Sequence, residues 1–164
     1  MNIFYFDECP VKSAIAQPDK MLVKMPLETA QMLSTAHRVL DGDSYADSVG
    51  LYKQAFVNHP CTIWARQCVI NYSWLYRHFI ALGEEYTYRY GKEHETARKL
   101  RGNLTRLPTN IKPDFFAEPP QCMPFTCKML NAIDAYKRYY IREKASFAKW
   151  TNRQIPEWFN NASI

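Results

Sequence analysis

Apolar residues recur at steps of three and four in three long stretches of the chain, the spacing that places side chains on one face of a helix. These stretches cover residues 19–40, 58–94 and 131–151. The one run with the composition of a β-strand is short, from Asn2 to Phe6. The pattern therefore predicts a mainly α-helical protein, folded as a single compact domain over residues 1–164 with at most a short N-terminal strand.

The stretch over residues 58–94 predicts the central helix. Pro60 suits its first position, where a missing N–H costs nothing, and Gly91 suits the residue just past its last turn. Its apolar stripe contains two polar side chains, Asn71 and His78. A buried amide or imidazole without a hydrogen bond costs about 1–3 kcal/mol. These two residues therefore indicate either a satisfied core network or a functional site.

Proline, glycine and charge predict the remaining segments. We expect a short helix over residues 9–17, a kink or break at Pro26 in the first long helix, and a loop over residues 41–50. Residues 92–103 predict a short basic helix. Residues 105–130 hold five of the ten prolines and predict an irregular segment that packs over the core. The C-terminal tail is expected to fold its aromatic side chains back onto the domain.

The composition is that of a compact globular protein, with 164 residues that are 47% hydrophobic and 15% aromatic. Five cysteines without a CxxC pair, and a start unlike a secretory segment, predict a reduced, cytoplasmic setting. The spacing of Cys122, Cys127 and His94 matches no zinc module. No run approaches the roughly 20 apolar residues of a membrane span. We therefore expect no metal, no other cofactor and no membrane partner.

The charge is basic and unevenly placed. The net charge is +5, yet residues 1–57 carry five Lys or Arg against seven Asp or Glu. Residues 89–112 carry seven basic side chains against two acidic ones, and residues 131–164 carry six against three. A basic second half favours an anionic partner, nucleic acid or nucleotide before a membrane. A solvated basic surface without a partner explains the same charges equally well.

Several common catalytic motifs are absent. The sequence has no GxxxxGK[ST] or GxGxxG phosphate loop, no HExxH or GxSxG motif and no zinc-deaminase signature. General acid–base residues remain, and we select Glu28, His37 and Glu85 as catalytic candidates. Glu85 and Arg89 form an i, i+4 pair among tyrosines, a setting that suits either an acid or base or a structural clamp.

The first long helix also carries an unbroken polar stripe, formed by Lys20, Lys24, Glu28, Gln31, Thr35 and Arg38. It is either a solvated face with weak ion pairs, each worth about 0.3–0.5 kcal/mol, or the polar wall of a cleft facing the central helix. Near the start of the central helix, Arg66 is placed to hold a phosphate or an internal carboxylate, and His59 is placed to cap the helix. The predicted ligand- and phosphate-binding residues are Lys20, Lys24, Arg38, His59, Arg66, Asn71, Arg89 and Lys92.

Five motifs together resemble a family of small proteins found in tailed bacteriophages and some bacteria. They are DxxPxKxA from Asp7, DKxxVKMxxExAQxxSTAHR from Asp19, NHPxxxWxRxxxxNYxWL from Asn58, EYxxRYGKxH from Glu85, and AYxxYYxxEKAxFAKWxxRxxPEW near the C-terminus. The resemblance covers nearly the whole chain. It implies a phage-type intracellular setting, where small accessory enzymes often act on DNA, nucleotides or host defences. The chain has Met21 and Leu22 where the family pattern has His and Val, which puts a metal or proton-transfer role near Lys20 in doubt.

Two functions of different classes follow. The first is a metal-independent enzyme acting on a nucleic-acid base or nucleotide, by glycosidic-bond cleavage or base modification, in the cytoplasm of an infected bacterium. In this hypothesis Glu28, His37, Arg66 and Glu85 converge in one pocket between the two long helices. The alternative is a non-catalytic binder of nucleic acid, of a signalling nucleotide or of a host defence protein.

Overall fold

The computed structural model describes residues 1–161, and over these residues the protein consists of helices joined by irregular segments, without a β-strand. The helices are α1 (Pro10–Ile15), α2 (Asp19–Asp41), α3 (Asp43–Ser48), α4 (Pro60–Ala65), α5 (Val69–Tyr90), α6 (Glu95–Leu100), α7 (Ala132–Glu143) and α8 (Glu157–Asn160). The predicted mainly α-helical fold is confirmed. None of the described helices is long and apolar enough to cross a membrane.

The core lies between the two long helices, α2 and α5, with α1 packed on α5 and α4 packed on α2. The facing stripes are fully buried and include Leu22, Met25, Leu33, Leu75, Phe79 and Leu82. Pro26 is inside α2 but does not split it, because the helix runs unbroken from residue 19 to residue 41. A proline removes one i→i−4 hydrogen bond, and the packing of the apolar face on α5 keeps the helix in one piece.

The prediction of one central helix is wrong, since the chain leaves the helix between Ala65 and Val69. Cys68 is extended there and its sulfur accepts a hydrogen bond from the backbone N–H of Asn71, 3.5 Å away, so Cys68 caps α5. The Asn71 side chain donates to the Trp64 carbonyl at 3.1 Å and joins the two pieces. The predicted end is confirmed, because Gly91 follows α5 in the left-handed conformation.

The structure corrects two further predicted boundaries. The expected loop over residues 41–50 contains α3, because Arg38 binds Asp43 at 2.6 Å and Asp47 at 2.8 Å and holds that turn against α2. The last strong helix, expected to reach residue 151, ends at Glu143. The irregular segment expected over residues 105–130 runs from residue 106 to residue 131, apart from a single 3-10 turn at Phe125–Cys127.

The N-terminal run from Asn2 to Phe6, expected as a short strand, is buried but is not a strand. Its hydrogen bonds go to side chains, and Phe6 N–H donates to the Ser13 hydroxyl at 3.0 Å. Its rings pack under α7, with the Phe6 and Tyr140 centroids 4.8 Å apart. Trp158 of the tail stacks on Phe6 at 5.1 Å, which confirms that the tail folds back. The N-terminal segment therefore packs between α2, α4 and α7.

We predict that Gly83→Ala lowers the free energy of unfolding by about 1–3 kcal/mol, the usual cost of overpacking. A Cβ at position 83 on α5 would lie 2.7 Å from the Cβ of Ala97 on α6, so one helix must move. Urea denaturation followed by circular dichroism measures the change.

Gly102→Ala is the matched control. Gly102 has φ −70° and ψ −43°, and nothing lies within 4 Å of a Cβ built there. This change should be neutral or slightly stabilising, because it only restricts the unfolded chain. Equal destabilisation by both substitutions would mean that the α5–α6 approach is not the cause.

Candidate active site

The α-amino group of Met1 lies 3.9 Å from a carboxylate oxygen of Glu28, in the middle of α2. The Glu28 side chain is 13% exposed, so the pair is sheltered without being closed off. The Met1 side chain is only 1% exposed although the residue as a whole is half-buried. The accessible part of Met1 is therefore its main chain, which includes the amine.

Contacts on both sides fix the position of this amine. The Thr62 hydroxyl on α4 donates to the Met1 sulfur at 3.4 Å. The next residue, Asn2, donates from its amide to the Cys122 carbonyl at 2.9 Å, and its side-chain oxygen accepts from the Tyr136 hydroxyl on α7 at 2.6 Å. The first two residues are thus held between α4, α7 and the irregular segment, with the amine 3.9 Å from Glu28.

Two of the predicted ligand-binding residues flank the pair. Lys24, one turn before Glu28 on α2, places its ammonium 3.0 Å from the other Glu28 oxygen. His59 caps α4, since its Nδ1 accepts from the Cys61 backbone N–H at 3.2 Å. Burial lowers the pKa of His59, the positive Met1 amine lowers it further, and Glu28 raises it in part. The charges of Met1 and Glu28 therefore both act on this imidazole.

A cleft of about 480 Å³ opens beside this group, lined by Phe4, Lys20, Met21, Val23, Lys24, Lys144 and Phe147. The floor is apolar and aromatic, and three lysines stand at its edge. The Lys20 ammonium lies 4.9 Å from the centre of the Phe147 ring. The volume lies within the roughly 300–1,000 Å³ of small-molecule sites. The cleft combines ring surface with positive charge, a combination that suits a nucleotide.

The structure places His37 and Arg38 in the interior. His37 is 1% exposed and its Nε2 is 2.9 Å from the Tyr72 hydroxyl, and burial lowers its pKa. Arg38 holds Asp43 and Asp47, so its charge is already paired. Both side chains therefore stabilise the packing at the C-terminal end of α2.

Arg66 and Asn71 fasten segments of the fold together. The Arg66 guanidinium donates to the Val57 carbonyl at 2.8 Å, and burial lowers its pKa. Asn71 accepts from the Ala117 N–H at 3.2 Å and donates to the Trp64 carbonyl. The Asn71 amide is therefore hydrogen-bonded within the core, which is the first of the two interpretations of its place in the apolar stripe.

Glu85 and Arg89 form the centre of a buried ionic network. Arg89 Nε donates to Glu85 at 2.7 Å, and its Nη1 donates to Asp19 at 2.9 Å. Arg153 also donates to both Glu85 oxygens, at 2.9 and 2.8 Å. Of the two interpretations of the Glu85–Arg89 pair, the contacts therefore support the structural clamp. Lys92, just past α5, is exposed.

The structure does not bring the four candidates Glu28, His37, Arg66 and Glu85 into one pocket. Glu85 contacts the start of α2 through Arg89, whereas His37 is near the other end of α2. Glu28 is nine residues from Asp19 and nine from His37, about 13.5 Å each way at 1.5 Å per residue.

Sequence reasoning missed Met1 and Asn2 as parts of the site. The only signal is Asn2 itself, a single polar side chain at the start of an apolar run. The position of Met1 beside Glu28 depends on contacts with residues 62, 122 and 136, which are far away in sequence. An amine and a carboxylate in a sheltered position can perform nucleophilic and acid–base chemistry together.

Residues 1–99, more than half of the chain, match the protein family described as pyrimidine dimer DNA glycosylase. The matched region includes Met1, Glu28 and His59 together with helices α1 to α5. Neither a curated protein nor a solved structure matches the chain.

We predict that Glu85→Ala lowers the free energy of unfolding by about 3–5 kcal/mol, the usual cost of removing one partner of a buried ion pair. The Glu85 side chain is 4% exposed and Arg89 is fully buried, so Arg89 would lose a counter-charge that water cannot replace. Chemical denaturation of the purified variant measures the loss.

Glu93→Ala is the control, since Glu93 pairs with Arg101 at 3.2 Å where both side chains are exposed. That change should cost less than about 1 kcal/mol. If Glu85→Ala were as mild as Glu93→Ala, Glu85 would not be a structural residue and its place among the catalytic candidates would reopen.

Proposed function

The chain belongs to the pyrimidine dimer DNA glycosylase family, and we propose that it cleaves the bond between a dimerised pyrimidine and its deoxyribose in DNA. The observation that carries the proposal is the Met1 amine held 3.9 Å from Glu28. The family description supplies the substrate class, DNA with damaged pyrimidines. The geometry supports the proposal, because it brings an amine close to a carboxylate within residues 1–99, the part of the chain that matches the family.

In the proposed reaction the Met1 amine attacks C1′ of the deoxyribose. A C–N bond forms to the amine while the bond from C1′ to the pyrimidine nitrogen breaks, and the pyrimidine leaves with the electron pair. The amine must lose a proton to attack, and Glu28 is placed to accept it. Opening of the sugar ring then gives an imine between the protein and the sugar.

Glu28 has a second role in this proposal. Positive charge develops on the sugar as the glycosidic bond breaks, and a fixed carboxylate in a sheltered site stabilises such charge. Lys24, 3.0 Å from Glu28, holds the carboxylate in place before the substrate binds.

The lysine-edged cleft beside the pair is the proposed binding site for the DNA strand. Lys20, Lys24 and Lys144 are placed to contact phosphates, and the half-buried ring of Phe147 offers stacking surface. An enzyme that acts on a base inside a duplex must first take the nucleotide out of the stack. A cleft of this size can receive it.

We predict that Glu28→Gln lowers the rate of glycosidic cleavage by about 10²–10⁴-fold, the usual contribution of a general acid or base. The amide keeps the shape of the side chain but cannot accept the proton. The rate is measured on an oligonucleotide duplex with a single thymine dimer, under single-turnover conditions. Glu84→Gln is the control, because Glu84 is an exposed carboxylate on α5. This variant should cleave at the rate of the unmodified protein.

Borohydride trapping tests the nucleophile in the same assay. Reduction of the imine should join the protein to the DNA, and mass spectrometry should place the adduct on the α-amino group of Met1. Selective acetylation of that amine should abolish both the adduct and the cleavage. An adduct on Lys24 would instead make the lysine the nucleophile, and dimer binding without base release would identify a non-catalytic binder.

We also predict that binding of dimer-containing duplex by Glu28→Gln weakens with salt, with a log–log slope of about −2 to −4 for three or four phosphate contacts. Adding Lys20→Gln should reduce the magnitude of this slope by about 1. Fluorescence anisotropy at several salt concentrations measures both.

Lys53→Gln is the control for charge alone. Lys53 pairs with Asp47, which also binds Arg38. Arg38 lies about 20 Å from Lys24 along α2, so Lys53 is far from the cleft. An equal effect of Lys20→Gln and Lys53→Gln on the slope would place the DNA elsewhere than in the cleft.

A further inference from the structure

His59, Cys61 and Cys122 lie together beside the N-terminal residues. The ring nitrogen and the two sulfurs are all within 4.8 Å of one another, and the two sulfurs are 3.6 Å apart. Cys61 is fully buried, while His59 and Cys122 are half-buried. The sequence pattern did not indicate that these three residues lie together, because Cys122 is 61 residues beyond Cys61.

The spacing is that of metal ligands. With Zn–S bonds of about 2.3 Å and Zn–N bonds of about 2.0–2.1 Å, the donors of a tetrahedral zinc site lie about 3.3–3.8 Å from each other. The two sulfurs already have this separation, and the imidazole is about 1 Å farther than it requires. A disulfide needs a sulfur–sulfur distance of about 2.05 Å, so the cysteines are much farther apart than in a disulfide.

The donor set selects a borderline or soft metal. Two thiolates and one imidazole bind zinc well and bind magnesium or calcium poorly, since those ions take oxygen ligands. Three protein ligands leave a fourth position. Met1 lies near the three ligand residues, because Thr62 next to Cys61 contacts Met1 and the Cys122 carbonyl accepts from Asn2.

We propose that His59, Cys61 and Cys122 form a zinc site that joins the irregular segment to the start of α4 beside Met1. The site would close a long loop and hold in place the wall against which residues 1 and 2 are packed. The other bonds between this segment and the α4–α5 region include one from the Trp64 indole to the Ala117 carbonyl at 2.7 Å. The metal would add a stronger link at the point nearest the amine. This inference does not depend on the proposed glycosylase reaction.

Ligation changes the hydrogen bonding of His59. A neutral imidazole that binds metal through one nitrogen carries its proton on the other. The 3.2 Å bond in which His59 Nδ1 accepts from the Cys61 N–H is therefore lost on binding. A single cap bond of this length contributes little beside a metal bound by three ligands.

Cobalt titration of the reduced, chelator-treated full-length protein tests the site. One equivalent of Co(II) should give the visible bands of tetrahedral cobalt and the near-ultraviolet thiolate charge-transfer band, and Zn(II) should displace both. Cys122→Ser, on the half-buried irregular segment, should weaken cobalt binding by more than about 100-fold. That exceeds the roughly 10–100-fold lost when only a group supporting a ligand is removed.

Cys127→Ser is the matched control, a buried cysteine of the same segment outside the cluster, and it should bind cobalt as the unmodified protein does. Cys61→Ser and His59→Ala should also lose the bands, with circular dichroism reporting whether each variant is folded. Absence of the charge-transfer band in the reduced protein, or its survival in folded Cys122→Ser, would overturn the proposal. So would a Cys61–Cys122 disulfide formed in air in place of metal binding.

Discussion

Arg89 is the buried charge on which the arrangement of the helices depends. Its side chain is fully buried, and it donates to two carboxylates and to the carbonyls of Ile15 and Gln17. A buried guanidinium is tolerated only when its donors are paired, because desolvation costs several kcal/mol. These bonds can all form only if the end of α1, the start of α2 and the last turns of α5 meet at one point. This requirement fixes the orientation of α2 relative to α1 and α5.

Asp19 extends the same constraint to the C-terminal part of the chain. Burial raises the pKa of Asp19, but hydrogen bonds from Thr151 and Arg89 outweigh it and hold the pKa below its usual value. Arg153 is bound to Glu85 in the same network. The tail is thereby fixed beside the start of α2, and the chain around Lys144 and Phe147 forms one wall of the lysine-edged cleft.

The candidate active site lies away from this ionic network, and different interactions hold it together. Residues 1–6 are held by apolar burial and by hydrogen bonds to side chains of the packed helices. A chain end usually frays, since few contacts oppose its conformational entropy. Here Tyr136, the Cys122 carbonyl and Thr62 contact Asn2 and Met1, so the first residues are held close to Glu28. In the proposed reaction, this order would hold the amine ready to attack the sugar.

The sequence by itself determined the helical class, the apolar faces of α2 and α5, the end of α5 at Gly91 and the irregular proline-rich segment. These follow from periodicity and from backbone preferences, which are local properties. It also placed Lys24, Glu28 and His59 among the candidates because of their residue types. Only the tertiary structure decided which polar residues are structural. Glu85 and Glu28 are both carboxylates next to an apolar stripe, yet one faces two buried or half-buried arginines and the other faces the chain terminus. The difference comes from contacts across 60 to 130 residues of sequence, and no local pattern records them.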